Sequence, residues 1–252
     1  MKTVKFGTRL FETELIIFDK DGTLTDFRKT WVPILEKRIE LIFEKLGIGA
    51  HGEKIKKEFY ESFGVHDDYI DAHGPFPYST PWEDETIFTT VLYRSGIPWQ
   101  KAKEAVRHAI DNAETLLNRV RFTKLYNGVK EMLTDLRRNG IMVSLATADL
   151  TEIAEDTFKS LKIYDLFNYI MGADLVNNAK PDPDMIYKTV EMLDADIKKT
   201  VLVGDSIVDM EMGRRSNTGL VVGVLEGGVA FKEDLEKNAD VVIDSVREIR
   251  VL

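Results

Sequence analysis

The sequence predicts an α/β fold: a doubly wound, mostly parallel sheet with a helical module inserted after its first strand. Three features predict it. Short, almost wholly apolar runs of strand length recur along the chain. Amphipathic segments of helix length separate them, the alternation that a parallel sheet requires. Residues 28–122 break this alternation and carry helical periodicity alone.

The first run covers 14–18 (Glu-Leu-Ile-Ile-Phe) and ends in Asp19. Its nearly continuous apolar character marks a strand buried on both faces. A second run, 141–146, ends at Thr147; Tyr169–Met171 is a third and weaker one. Residues 200–203 run into Gly204-Asp205, Leu220–Val224 follows after a helix-length gap, and Val241–Ile243 adds a last short strand. Helical patterns fill 128–139, 151–161, 183–193 and 209–216.

In the inserted stretch, Thr30 is expected to cap a helix with Pro33 in its first turn. Trp31, Ile34, Leu35, Ile42 and Leu46 share one side of that helix, and Gly47 ends it. Residues 83–93 read as a second helix. Residues 100–120 read as a third, with Ala102, Val106, Ala109, Ala113 and Leu117 at helical spacing. The segment 74–81, Gly-Pro-Phe-Pro-Tyr-Ser-Thr-Pro, is a loop. The expected division is therefore a core domain of 1–27 and 123–252 and a helical domain of 28–122.

Composition narrows the function. The chain has no cysteine, which excludes disulfides, thiolate metal sites and thiol nucleophiles. Its formal net charge of -9 argues against a nucleic-acid partner. No apolar run approaches the roughly 20 residues that span a bilayer, so no membrane partner is expected. Behind the opening Met1-Lys2-Thr3-Val4-Lys5 lies no signal-type apolar segment, and the expected location is the cytoplasm.

The chemistry is concentrated where strands end. Asp19-Lys20-Asp21-Gly22-Thr23 follows the first run directly, at the sheet edge where ligands gather in such folds. There Asp19 is placed to attack phosphorus and form an aspartyl phosphate. Asp21, two residues on, is placed to protonate the leaving oxygen and later to deprotonate water. Gly22 allows the tight turn, and Thr23 is expected to orient Asp21 through a hydrogen bond. Four such fixed residues match by chance in roughly one chain of this length in 200, so the motif is strong though short. Thr147 supplies a hydroxyl at the second strand end, Lys180 an ammonium in the loop after the third, and Asp205 and Asp209 two carboxylates after the fourth. Four carboxylates around a phosphate dianion would repel one another without cations. A hard divalent ion with oxygen ligands resolves this; Mg²⁺ suits carboxylates that leave several waters in place, and Mn²⁺ takes the same ligands.

With these motifs in Asp19 to Thr23, Thr147, Lys180 and Gly204 to Asp209, nearly the whole chain resembles the haloacid dehalogenase superfamily of phosphatases. The resemblance implies a Rossmann-like core, Asp19 as nucleophile and metal ligand, and Asp21 as general acid/base with its backbone carbonyl on the metal. It implies phosphate binding by Thr147 and Lys180, Mg²⁺ ligation by Asp205, and support of the metal by Asp209, directly or through water. Asp21 itself points to phosphoryl transfer, since dehalogenases of this family lack that second aspartate. The insertion resembles the helical cap of the phosphoglycolate phosphatase-like subfamily, which closes over the site and selects the leaving group. Lys20 departs from the apolar residue of many relatives. Either it faces the leaving group and favours an anionic one, or it points to solvent at the hinge. In the cap, Trp82, Tyr78, Arg94, His66 and His73 are candidate substrate contacts, with the 74–81 loop as the expected reader. The expected reaction is hydrolysis of a small phosphorylated metabolite, phosphoglycolate-like or a sugar phosphate. The alternatives are a sugar-phosphate mutase on the same scaffold and a non-catalytic phosphate-sensing or protein-binding module.

Overall fold

The structure is a computed structural model that describes residues 2–49 and 52–252. In chain order its strands are β1 (Lys2–Phe6), β2 (Arg9–Thr13), β3 (Leu15–Phe18), β4 (Met142–Ala146), β5 (Tyr169–Met171), β6 (Thr200–Gly204), β7 (Leu220–Val224), β8 (Val241–Ile243) and β9 (Ile249–Val251). The helices are α1 (Phe27–Leu46), α2 (Gly52–Phe63), α3 (Pro81–Arg94), α4 (Trp99–Leu117), α5 (Val129–Arg138), α6 (Thr151–Ser160), α7 (Asp184–Met192), α8 (Ile207–Ser216) and the short α9 (Lys232–Leu235). Two compact units result: Met1–Phe27 with Thr123–Leu252, and Arg28–Phe122. No helix among the described residues is long and apolar enough to cross a membrane.

In the first unit, six parallel strands lie in the order β5-β4-β3-β6-β7-β8. The chain builds outward from β3 to β5 on one side, then crosses to β6 and builds outward on the other. Its topological switch point is thus the β3/β6 boundary, where the carboxyl ends of neighbouring strands open a crevice. The four residues of β3 are all fully buried, and alternation sends them to two different cores. Ile16 and Phe18 join Val129, Leu133, Val143 and Phe158 on one face. Leu15 and Ile17 join Met185, Ile186 and Met212 on the other. A strand covered on both faces has no room for polar side chains, which is why its sequence is continuous rather than alternating.

The antiparallel sheet β2-β1-β9 is absent from the sequence-based expectation. Gly7 and Thr8 join β1 to β2 in a two-residue turn, since Phe6 pairs with Arg9 and Gly7 takes a φ of 56°. Val4 and Phe6 face the core while Lys5 stays exposed, so the pattern is a short half-buried strand with charges outside.

The second unit is helical. Its core gathers Ile34, Leu35, Ile39 and Ile42 of α1, Phe59 and Phe63 of α2, Phe88 and Leu92 of α3, and Ala102, Val106 and Ala109 of α4. Phe59 and Phe63 both pack on Phe88, at ring-centroid distances of 4.9 and 4.7 Å. Thr30 is no N-cap: α1 begins at Phe27, so Thr30 is a buried residue inside the helix. Pro33 consequently sits in the helix interior, where it forgoes one helical hydrogen bond. The loop expected at 74–81 ends one residue earlier. Pro81 opens α3, where its missing N–H costs nothing, and Thr80 caps the helix in a reciprocal pair with Glu83.

Candidate active site

The six core-site residues singled out in the sequence, Asp19, Asp21, Thr147, Lys180, Asp205 and Asp209, lie in the sheet-containing unit, and the order of its strands explains why they meet. The Asp19 N–H donates to the Val203 carbonyl at 2.9 Å, so the backbone is still in the ladder between β3 and β6 where the carboxylate emerges. The chain then turns sharply: Leu24 and Thr25 N–H groups both return to the Lys20 carbonyl at 2.9 Å. Gly22, at φ 92°, makes this possible; a Cβ there would fall 1.8 Å from Asp205 Oδ2. On the neighbouring strand, β6 ends at Gly204, and Asp205 follows at the same level.

Asp209 is fixed by the start of α8. Ser206 caps this helix and forms a reciprocal capping box with Asp209: the Ser206 N–H donates to Asp209 Oδ2 and the Asp209 N–H donates to Ser206 Oγ, each at 3.3 Å, and Ser206 Oγ also donates to Asp209 Oδ2 at 2.5 Å. The other oxygen is left for the site. Lys180 reaches in from the loop between β5 and α7, and its Nζ lies 2.5 Å from Asp19 Oδ1 and 2.7 Å from Asp209 Oδ1.

Asp19, Asp205 and Asp209 each offer a carboxylate oxygen, and these oxygens lie within 4.8 Å of one another. Asp205 receives a hydrogen bond from Thr23 Oγ1 at 2.9 Å on Oδ1, whereas its Oδ2 is buried with no hydrogen-bond partner. A buried carboxylate oxygen without a donor is costly, and together with the three converging carboxylates it is what a cation site requires. The donor set is all oxygen, which suits a hard divalent ion. Electrostatics agree. Burial, then repulsion from Asp209, pushes the Asp19 carboxyl up to about 7 even though Lys180 pulls it down. Burial, then Asp19 and Asp209, raises the Asp205 carboxyl well above the carboxylate range. Burial works against the Lys180 charge, but Asp19 and Asp209 outweigh it and hold the ammonium protonated.

Two expectations need correction. Thr23 does not orient Asp21; it bonds Asp205, and Thr25 Oγ1 donates to Asp21 Oδ1 instead, at 2.7 Å. The tight turn brings Thr25 back over Asp21 and points Thr23 across to the neighbouring strand. Lys20 does not point to solvent. It is fully buried, with Nζ 2.7 Å from Asp21 Oδ2 and 2.9 Å from Asp149 Oδ2. An ammonium so buried would cost several kcal/mol if unpaired; two carboxylates offset that. The Asp21 carboxylate stands outside the three-aspartate cluster.

Thr147 is buried just beyond β4, and its Oγ1 accepts the Asp149 N–H at 3.2 Å. Sequence reasoning missed Ser206, Thr25, Asp149 and Gly227. Ser206 had a signal, because a serine three residues before an acid at a helix start is a capping box. Gly227, in the loop after β7, had none. A Cβ on it would lie 2.6 Å from both Asp205 Oδ2 and the Gly22 carbonyl oxygen, so that loop closes directly over the first motif. In the helical unit, Tyr78 and Trp82 line a cavity of about 500 Å³ with Pro75, Ser79, Glu83, Thr86 and Ile87. His66 stacks on Tyr69 at 4.4 Å, the His73 N–H bonds Asp71, and Arg94 is exposed in the last turn of α3.

A model of the haloacid dehalogenase-like hydrolase family matches residues 13–217. The chain is 27% identical over 249 residues to the phosphoglycolate phosphatase of Nitrosococcus oceani, covering 96% of this chain and 97% of that one. It is 29% identical over 130 residues to the N-acetylmuramic acid 6-phosphate phosphatase of Pseudomonas putida, covering 51% of this chain and 57% of that one. Among solved structures it is similar to a HAD-superfamily hydrolase of subfamily IA from Geobacter sulfurreducens, with a TM-score of 0.65, 19% identity and 94% of each chain covered; that likeness speaks for the fold.

Proposed function

Because this chain belongs to the haloacid dehalogenase-like hydrolase family, we propose that it is a phosphoric monoester hydrolase acting on a small phosphorylated metabolite. The observation that carries the reading is the meeting of Asp19, Asp205 and Asp209, two of them on the Lys180 ammonium, with a buried Asp205 oxygen left without a donor. An Asp19 oxygen attacks phosphorus as the ester P–O bond breaks, and Asp21 gives its proton to the leaving alkoxide. Water then attacks the phosphorus of the aspartyl phosphate and loses a proton to Asp21. The bond to Asp19 breaks, phosphate leaves, and both residues return to their starting states. Thr147 and Lys180 hold the phosphate oxygens. Asp19, Asp205 and Asp209, with the Asp21 carbonyl, would hold Mg²⁺, which when bound offsets the charge of phosphate and carboxylates. The helical unit, residues 28–122, serves as a cap that selects the leaving group, and the enzyme works in the cytoplasm. Phosphoglycolate-like acids and sugar phosphates are the substrates to try first, given the names of its relatives.

The test is phosphate release from a panel of phosphorylated metabolites and p-nitrophenyl phosphate, with added Mg²⁺ and no sugar bisphosphate. Turnover is expected under these conditions. Strict dependence on a sugar bisphosphate would replace hydrolysis with a mutase, and release from none of the compounds would remove the reading. Gly227→Ala supplies a second check. Its Cβ must displace either Asp205 or the Gly22 backbone, and a misplacement of that size is expected to lower kcat about 10²-fold. Wild-type kcat would mean that this loop does not constrain the site.

A further inference from the structure

We infer that Lys20 is a positioning residue which, anchored by Asp149, fixes the orientation of Asp21 during proton transfer; this rests on the phosphatase reading above. Both Asp21 oxygens are taken up in the structure. Thr25 Oγ1 holds Oδ1 at 2.7 Å, and Lys20 Nζ holds Oδ2 at 2.7 Å. Thr25 belongs to the same tight turn as Asp21. Lys20 ties the carboxylate to a different strand end, because its Nζ also lies 2.9 Å from Asp149 Oδ2. Asp149 in turn is bound to the Thr147 loop, its N–H donating to Thr147 Oγ1 at 3.2 Å. A continuous chain of contacts therefore runs from Asp21 through Lys20 and Asp149 to Thr147. The group that handles the proton and the group that holds the phosphate are locked in one frame.

The lock is well built. Lys20 has no exposed surface, and the side chains of Asp21 and Asp149 are 14% and 9% exposed. A lysine with a flexible stem and three donors can bridge two carboxylates on separate loops, and burial removes the competing water that would loosen the bridge. In this arrangement Lys20 acts through Asp21, whose Oδ2 it holds.

Positioning of a proton donor has a signature that general damage lacks. An alkyl phosphate needs a proton on its leaving oxygen, whereas p-nitrophenolate departs without one. The test compares kcat/KM for glycerol phosphate and p-nitrophenyl phosphate in wild type, Lys20→Met, Asp149→Asn and the double variant. Lys20→Met is expected to lower the alkyl value about 10²-fold, by loss of general-acid catalysis. The ratio of aryl to alkyl values is expected to rise at least about tenfold. Asp149→Asn shifts the ratio in the same direction. The double variant shifts it no further than Lys20→Met alone, since the two residues act in series. An unchanged ratio in either single variant overturns the inference, and so does an additive shift in the double. Should Lys20→Met fail to fold, Asp149→Asn decides alone, because it keeps the shape of the anchor and removes its charge. An inactive wild type sinks the phosphatase reading and this role with it, whereas an active wild type with an unmoved ratio sinks only the role of Lys20.

Discussion

Asp19→Asn is expected to lower kcat for every substrate by about 10⁴-fold or more, the scale on which loss of a covalent nucleophile is felt. The amide keeps the shape of the carboxylate but cannot form the acyl phosphate. The fold should survive. The substitution removes one of three crowded buried charges, and Lys180 keeps Asp209 as a partner at 2.7 Å. Thermal denaturation of the chelated variant should thus show a midpoint no lower than that of the chelated wild type. Asp21→Asn separates the two roles. With p-nitrophenyl phosphate it should release one burst of p-nitrophenolate per enzyme and then stall, because the first step needs no acid but the second lacks its base. Asp19→Asn gives no burst. Near-normal turnover by Asp19→Asn, or a burst from it, would show that phosphorus is attacked by something else.

How far these residues could be read from the sequence depended on where their partners lie. The strands of the parallel sheet were legible because each is covered on both faces, so that burial alone dictates residues 15–18 and 201–203. Asp19, Thr147, Lys180, Asp205 and Asp209 were legible because each follows the end of such a strand. The sheet β2-β1-β9 was not, since β1 pairs with residues some 245 positions away, and its five residues carry two lysines. Helix α2 had a readable stripe in Ile55, Phe59 and Phe63, four residues apart. Lys20 was misread for a physical reason. A lone lysine at the end of an apolar run belongs at the surface by every local rule. Only Asp149, brought alongside by β4, turns it into a buried bridge. The exchange between Thr23 and Thr25 has the same origin, because one tight turn decides which of two threonines faces which aspartate.

Removal of the divalent ion is expected to silence the enzyme, with Mg²⁺ restoring it, and the cost of removal should grow with pH. In the chelated protein the Asp19 carboxyl titrates near 7 and that of Asp205 is also raised, against 3.8 for each in an unfolded chain. Below 3.8 both states are protonated, and these groups contribute nothing to stability. Between 3.8 and about 7 the folded state holds more protons than the unfolded one, so stability falls as pH rises through this window. Once both carboxyls are ionised the full repulsion remains, relieved by Lys180 or a bound cation. A divalent ion at 100 times its dissociation constant stabilises by about 2.7 kcal/mol, or roughly 5–10 °C in the thermal midpoint of a chain this size. That gain should be large at pH 8 and small at pH 5, where protons compete for the same oxygens. Asp205→Asn should flatten the pH dependence of the chelated protein, since it removes one of the raised carboxyls and the donor-less oxygen beside them. Full activity in metal-free buffer, or a metal-induced shift no larger at pH 8 than at pH 5, would mean that the three aspartates are held together by something other than a cation.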